Sequence, residues 1–429
     1  MSRHPDFRPA PRHPFFQSPA MTATKAAARS FASSIPAILV AGCLIAALNG
    51  GPRSTMGFFL TPMSSEHGWG REIFALAIAI QNLAWGIGQP FVGMLADKFG
   101  TARVLTVGAL LYALGLVLMA KTTDAVTLQF TAGLLVGLGI AGSAFMLVMA
   151  AFARMLPERM RTTAYGLGTA AVSVGQFIFA PLGQSFIQSY GWQTTLLILA
   201  AVVLVIPVLS FVIRGKPRAA PASSGERDQS IPEALREAFR HPSYQLLVLG
   251  FFVCGFQVAF VVVHLPPYLS DIGIPAVYGG IALALIGGFN IIGSIAAGVL
   301  SGRMPRRIIL AAIYAGRSLI IVVFILTPPS VVSVLAFSVA MGLLWLSTVP
   351  PTQQLVAIMF GTRYMATLFG FVFFSHQVGS FLGVWLGGFL YDRTGSYDIV
   401  WWISVVLGLF AAVVHLPIVE RQVARPAVA

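Results

Sequence analysis

Gly93-Met-Leu-Ala-Asp97-Lys98-Phe-Gly100-Thr-Ala-Arg103 is a short charged connector between two long apolar runs. A worn copy, Gly298-Val-Leu-Ser-Gly302-Arg303-Met-Pro-Arg306-Arg307, lies 205 residues further on, again between apolar runs. The same offset pairs Leu60, Pro62 and Gly68 with Leu265, Pro267 and Gly273. An offset of 204 pairs Gly166, Gly175, Gly183 and Gly191 with Gly370, Gly379, Gly387 and Gly395. Four glycines kept in step mark a duplicated half, and small residues at fixed places suit close helix packing.

Around these connectors the chain reads as apolar runs at about 35–63, 72–96, 102–120, 125–153, 163–188 and 192–213. Six more follow at about 244–270, 276–302, 308–327, 331–359, 365–391 and 397–418. A helix needs about 20 apolar residues to cross hydrocarbon. The chain is 57% hydrophobic and 10% charged, with mean hydropathy +0.84. Soluble domains carry about 25% charged residues, so a soluble fold is excluded. The expected fold is all-α and membrane-integral: twelve transmembrane helices in two pseudo-symmetric six-helix bundles, 35–213 and 244–418. A polar linker, 214–243, joins them. Residues 1–34, with no apolar run, read as a disordered tail, and 419–429 as a second tail. Cys43 and Cys254 fall inside apolar runs, which implies no disulfide framework.

A net charge of +13 suggests nucleic acid only if the charges share a surface. Here 22 of the 27 Lys and Arg fall on one set of connectors and termini, and three (Arg71, Lys121, Arg393) on the other set. The positive-inside rule then places both termini in the cytoplasm. No nucleic-acid partner is expected, and the lipid bilayer is the surrounding medium.

The 93–103 connector resembles the signature loop of the major facilitator superfamily, with its degraded second copy in the matching place. With the six-plus-six pattern, the resemblance covers residues 35–420. Gly57-Phe-Phe-Leu-Thr-Pro62, Ala180-Pro181-Leu-Gly183, Gly191-Trp192, Gly395-Ser-Tyr-Asp398 and Trp401-Trp402 are similar to the bacterial monocarboxylate and oxalate/formate porter branch. The resemblance implies the major facilitator fold, a bacterial inner-membrane location, a monomer, and alternating access around a central cavity. It departs where the eukaryotic monocarboxylate carriers hold an Asp and an Arg in the eighth span: here the positions fall near Asn290 and Ser294. Phe179 and Ala180 likewise replace the glycine of an antiporter pattern.

Two arginines, Arg53 and Arg317, lie deep in apolar runs whose interiors hold no Asp or Glu. A charge in hydrocarbon costs roughly 2.5–3.5 kcal/mol on insertion scales. Without a buried acid, the counter-charge is expected from an anionic cargo. Arg53 follows Gly50-Gly51-Pro52, which loosens a helix. Its guanidinium suits a carboxylate, against the alternative of snorkelling outward. Arg317 reads as a second clamp or as a structural donor to a neighbouring helix break; the resemblance puts its helix outside the cavity-lining ring. His264 and His376 are candidate proton carriers, against the commoner neutral, satisfied histidine. Asn49, Asn290, Gln377, Gln81 and Asn82 read as cargo contacts or interhelical glue. Trp345, Thr348 and Pro350-Pro351-Thr352 suggest a broken helix with an aromatic wall, which Phe145 and Met146 face. The resemblance makes Gly93, Asp97, Lys98, Gly100 and Arg103 a gating loop, with Asp97 latching to Arg363 or Arg154.

The expected function is secondary transport of a small organic anion, a monocarboxylate by resemblance, with protons as the candidate coupling ion. A drug exporter usually wants an embedded acid, and a membrane sensor a partner domain. No Walker loop, nucleophile elbow or metal-ligand spacing is present, so neither enzyme activity nor a cofactor or metal is expected.

Overall fold

A computed structural model describes residues 19–214, 230–361 and 364–423, with backbone alone at 19–34 and 162. Among the described residues every regular element is helical. Eleven stretches are long and apolar enough to cross a bilayer. One of them, Glu158–Ser210, is broken at Gly191, whose φ of 78° and ψ of 165° are not helical. It supplies two crossings, which completes the expected twelve. They are α1 (Ile35–His67), α2 (Arg71–Phe99), α3 (Thr101–Met119), α4 (Ala125–Met155), α5 (158–190) and α6 (192–210) in the first half. The second half holds α7 (Pro242–Asp271), α8 (Val277–Leu300), α9 (Arg306–Leu326), α10 (Val331–Phe360), α11 (Met365–Thr394) and α12 (Asp398–His415).

Two boundaries differ from the sequence reading. The helix that leads into α1 starts at Pro19 rather than near 35. Ala20, Ala23 and Ala26–Ala28 give that stretch high helix propensity, which a reading based on apolar length overlooks. The linker also contains a helix, Ile231–Arg240, capped where Ser230 N donates to Glu233 Oε2 at 2.9 Å. Residues 1–18, 215–229 and 424–429 of the tails and linker lie outside the described residues.

Each half buries a core of its own. Within the halves α1 packs on α5 and α7 on α11; between them α2 packs on α11 and α5 on α8. Under the repeat α2 corresponds to α8 and α5 to α11, so the two seams are equivalents of one another. The stepped glycines explain these contacts. Gly175 meets the backbone of Ala47 so closely that a methyl group would collide, and Gly379 meets Phe252 in the same way. Ala47 and Phe252 are themselves 205 apart. One duplicated position thus sets both the α5–α1 and the α11–α7 approach.

Besides a break at Leu204 in α6, three crossings are interrupted. In α1 the α-helix ends at Ser54 and a 3-10 turn, Met56–Phe59, follows before helix resumes at Leu60. In α4 a π-helical turn, Gln129–Leu135, is followed by a break at Ser143 and Ala144. In α10 the helix stops at Leu344 and restarts at Val349, just ahead of Pro350-Pro351. Such breaks free backbone carbonyls that hydrocarbon cannot satisfy, so protein groups must do so.

The end of the molecule that carries Gly93–Arg103 and Arg303–Arg307 is its basic face. The halves meet at the opposite end and part towards this one. Near the opposite end, Gly57 lies against the backbone of Val262 and Val263, and Gly70 against the Asp392 carboxylate. At mid-depth Gly86 abuts Gln377. Towards the basic face, Gly93, Gly166 and Gly370 meet nothing within 4 Å.

Candidate functional site

Arg53 sits at mid-chain of α1, just before the interruption. Pro52 contributes no N–H, and its carbonyl accepts from Thr55 N at 3.1 Å and Thr55 Oγ1 at 2.7 Å, closing a tight turn. The guanidinium Nη2 donates to Asn82 Oδ1 at 3.0 Å, and its carbon lies 4.6 Å from the Trp85 ring centre. Among the described residues no carboxylate pairs with it. Arg53 is only half-buried, and none of its nitrogens is both enclosed and unpaired. Its remaining donors therefore face open space, deep in a spanning helix and on the side where the halves part.

The surroundings of Arg53 reach into the second half. Gln377 of α11 donates to the Asn82 carbonyl at 3.2 Å, and His376 Nδ1 lies 3.0 Å from Gln377 Oε1. Trp85 meets Phe373 edge-on at 5.2 Å, and Phe373 stacks on His376 at 5.8 Å. An aromatic and amide chain thus runs from Arg53 through Asn82 and Gln377 to His376, across the α2–α11 seam. Asn82 and Trp85 hold the Arg53 guanidinium through a hydrogen bond and a ring face. Trp85 was not singled out in the sequence, although its helical spacing from Asn82 places both on one face. Phe145 and Met146 are half-buried at the start of the second part of α4.

Several expected cargo contacts are placed elsewhere. Arg317 is fully buried and bonds to the carbonyl of Leu344 (3.1 and 2.8 Å), the carbonyl of Trp345, Gln257 Oε1 (3.3 Å) and Cys254 Sγ (3.5 Å). It is the structural donor of the two alternatives, holding carbonyls freed by the α10 break. Trp345 and Thr348 are buried in that same break, and Thr348 Oγ1 lies 3.3 Å from Cys254 Sγ. Asn290 serves the break too: its Oδ1 accepts from Leu346 N at 2.9 Å, while Nδ2 donates to Ser173 of α5 at 2.8 Å. Asn49 donates to Ser143 Oγ at 2.8 Å and Ile140 O at 3.3 Å, satisfying the α4 break. Gln81 likewise donates to Ala132 O at 2.8 Å. A fixed demand, the orphan carbonyls of broken helices, thus absorbs the polar side chains that an apolar sequence makes conspicuous.

His264 belongs to the end opposite the basic face. Its Nε2 lies 2.8 Å from Val384 O and its Nδ1 3.1 Å from Tyr397 Oη. Both nitrogens are engaged and the side chain is fully buried. Tyr397 Oη in turn receives Arg71 Nη1 at 2.9 Å. Arg71 opens α2 and grips Asp271 at the end of α7, with Nη1 and Nη2 each 2.7 Å from an oxygen. It also lies 3.7 Å from the Tyr391 ring centre. Asp392 of α11 accepts from Arg71 N and Glu72 N, both at 2.8 Å, capping the α2 N-terminus. Glu72 pairs with Arg393 at 3.1 Å and accepts from Trp385 at 3.3 Å. The contacts of Arg71 and Glu72 each join the first half to the second. The sequence reading counted Arg71 and Arg393 only as exceptions to a charge bias. The available signal was the matching acids Glu72, Asp271 and Asp392 at the ends of other spans.

At the basic face Asp97 pairs with Arg154 at 3.1 Å, and Arg154 also donates to Thr101 Oγ1. Both partners belong to the first half. Gly100 has φ 91° and starts α3, a conformation that favours glycine at this connector. Lys98 and Arg103 are exposed, Arg103 donating to Phe99 O at 3.4 Å. Arg363, the other expected partner of Asp97, lies outside the described residues.

Known proteins can now be set beside this geometry. The chain is 26% identical over 381 residues to the MFS-type transporter YcxA of Bacillus subtilis, covering 87% of this chain and 92% of that one. It is 27% identical over 327 residues to monocarboxylate transporter 13 of Bos taurus, covering 76% and 74%. Among solved structures, the fold matches a bacterial homologue of the human lysosomal transporter Spinster with TM-score 0.70 at 16% identity, covering 88% of this chain and 95% of that one. It matches the D-xylose-proton symporter with TM-score 0.69 at 15% identity, covering 90% and 98%. The model of the Major Facilitator Superfamily matches residues 42–384. Twelve crossings in two repeated halves are thus those of a membrane transporter, and the chain belongs to the Major Facilitator Superfamily.

Proposed function

We propose that the protein moves a small organic anion, of the monocarboxylate class, across the bacterial inner membrane by alternating access. The observation that carries this reading is Arg53: a guanidinium at mid-membrane with free donors and no carboxylate partner among the described residues. A planar guanidinium matches a carboxylate with two parallel hydrogen bonds. Asn82 and Trp85 hold it in place from one side, leaving the other to the cargo. The similarity to monocarboxylate transporters supports the same class.

The charge distribution sets the basic face in the cytoplasm. In that orientation the halves part towards the cytoplasm and are sealed towards the exterior by the Arg71 cluster, an inward-facing state. Cargo would reach Arg53 from inside, and uptake requires the reverse state, in which Arg71 and Asp271 separate. The Asp97–Arg154 pair then exchanges for closure of the basic face. For a coupling proton, His376 is the histidine linked to Arg53, through Gln377 and Asn82; His264 has both nitrogens engaged, by Val384 O and Tyr397 Oη, at the opposite end.

The test is binding by the purified protein in detergent. Thermal stabilisation is measured with a panel of short monocarboxylates, a sugar and a quaternary ammonium compound. Stabilisation by monocarboxylates, absent in Arg53→Ala, is expected. Stabilisation by the cation alone sinks the anion reading.

A further inference from the structure

We propose that the basic face carries a binding site for the headgroup of an anionic phospholipid, between the α8–α9 connector and the segment after α12. A surface depression of about 670 Å³ opens there, walled by Arg303, Arg306, Arg307, Arg421 and Glu420. Four guanidiniums share it with one carboxylate.

The groups have unequal duties. Glu420 Oε1 accepts from Arg307 N at 2.8 Å, at the N-terminus of α9, and its other oxygen lies 3.6 Å from Arg306 Nη1. Arg307 Nη1 donates to Leu416 O at 3.2 Å and Ile418 O at 3.4 Å, and Arg306 Nε donates to Gln354 Oε1 at 3.3 Å. These two arginines are therefore fixed as the wall. Arg303 and Arg421 are exposed, and neither side chain has a partner among the described residues. Two unpaired guanidiniums at one hollow repel each other and together favour an anion with several acceptor oxygens.

The lip of the hollow distinguishes a lipid from a soluble anion. Met304, Ile308, Leu416 and Val419 are exposed beside the arginines. They lie where α9 begins and α12 ends, the level at which the spans leave hydrocarbon. A phosphodiester among the arginines, with acyl chains along α9 and α12, satisfies both surfaces. Positive-inside placement accounts for arginines on this face, but not for their convergence on one hollow with an apolar lip.

The test uses the purified full chain in uncharged detergent. Thermal unfolding is titrated with dihexanoyl phosphatidylglycerol, dihexanoyl phosphatidylcholine and inorganic phosphate, and native mass spectrometry counts retained lipid independently of stability. Phosphatidylglycerol is expected to bind and stabilise, and the other two are not. The double variant Arg303→Gln/Arg421→Gln is expected to weaken phosphatidylglycerol binding roughly thirtyfold. Arg236→Gln/Arg240→Gln, which removes equal charge from the linker helix, is expected to leave it unchanged. Equal loss in both variants, undiminished binding in the first, or equal effects of phosphatidylcholine each overturn the site. Stabilisation by inorganic phosphate to the same extent overturns the lipid in favour of a free anion.

Discussion

Arg71 and Asp271 lie 200 positions apart and clasp with two hydrogen bonds of 2.7 Å, tying the start of α2 to the end of α7. Their side chains are 15% and 29% exposed, so solvent screens the pair only in part. A partly shielded bidentate contact of this kind contributes roughly 1–2 kcal/mol. Asp271→Asn is therefore expected to shift the balance between the two access states roughly five- to thirtyfold away from the sealed one. Spin labels at Ser65 and Ser270 read this as a new, longer distance population. An unchanged distance distribution shows that the clasp does not bias the cycle.

Arg53→Ala is expected to abolish anion uptake into proteoliposomes while the folded protein accumulates normally. Arg53→Lys restores little, because an ammonium lacks the planar pair of donors. Wild-type uptake in either variant contradicts the role given to this side chain.

Arg317→Met is expected to act differently. It removes a buried charge but leaves the carbonyls of Leu344 and Trp345 without donors, a loss of about 3–5 kcal/mol. A large fall in thermal stability is anticipated, with the cargo affinity of the surviving folded fraction unchanged. A stable protein with lost affinity would return Arg317 to the cargo site.

Gly379→Ala and Gly370→Ala form a matched pair on α11. At Gly379 a methyl group collides with the Phe252 backbone, whereas at Gly370 nothing lies within 4 Å. The first is expected to destabilise by several kcal/mol. The second is neutral or mildly stabilising, by about 0.5–1 kcal/mol, since alanine suits a helix better. Equal melting temperatures for the two dispute the close α7–α11 approach.

The crossings were legible in the sequence because apolar length and the glycine offset record demands that act locally. Gly175 and Gly379 repeat because the same backbone approach repeats. Arg53 stands out in the sequence because its span holds no acid, and among the described residues the structure gives it an amide and a ring but no carboxylate. Arg317, Asn49 and Asn290 looked equally conspicuous, yet their partners are carbonyls released by breaks in other helices. A carbonyl has no letter in the sequence, so that pairing shows only when the helices are assembled. Arg71 was hidden for the opposite reason: its partner Asp271 sits across the molecule and leaves no spacing to read.

The break in α10 is secured by peptide oxygens on one side and a guanidinium on the other. The oxygens of Leu344 and Trp345 thus keep a donor although no helical turn supplies one. A gap braced in this way is a fixed joint and not a hinge, since motion across it would strip those oxygens of their donors inside hydrocarbon. The two parts of α10 are therefore tied through Arg317 to α9, and the three segments behave as a single rigid strut.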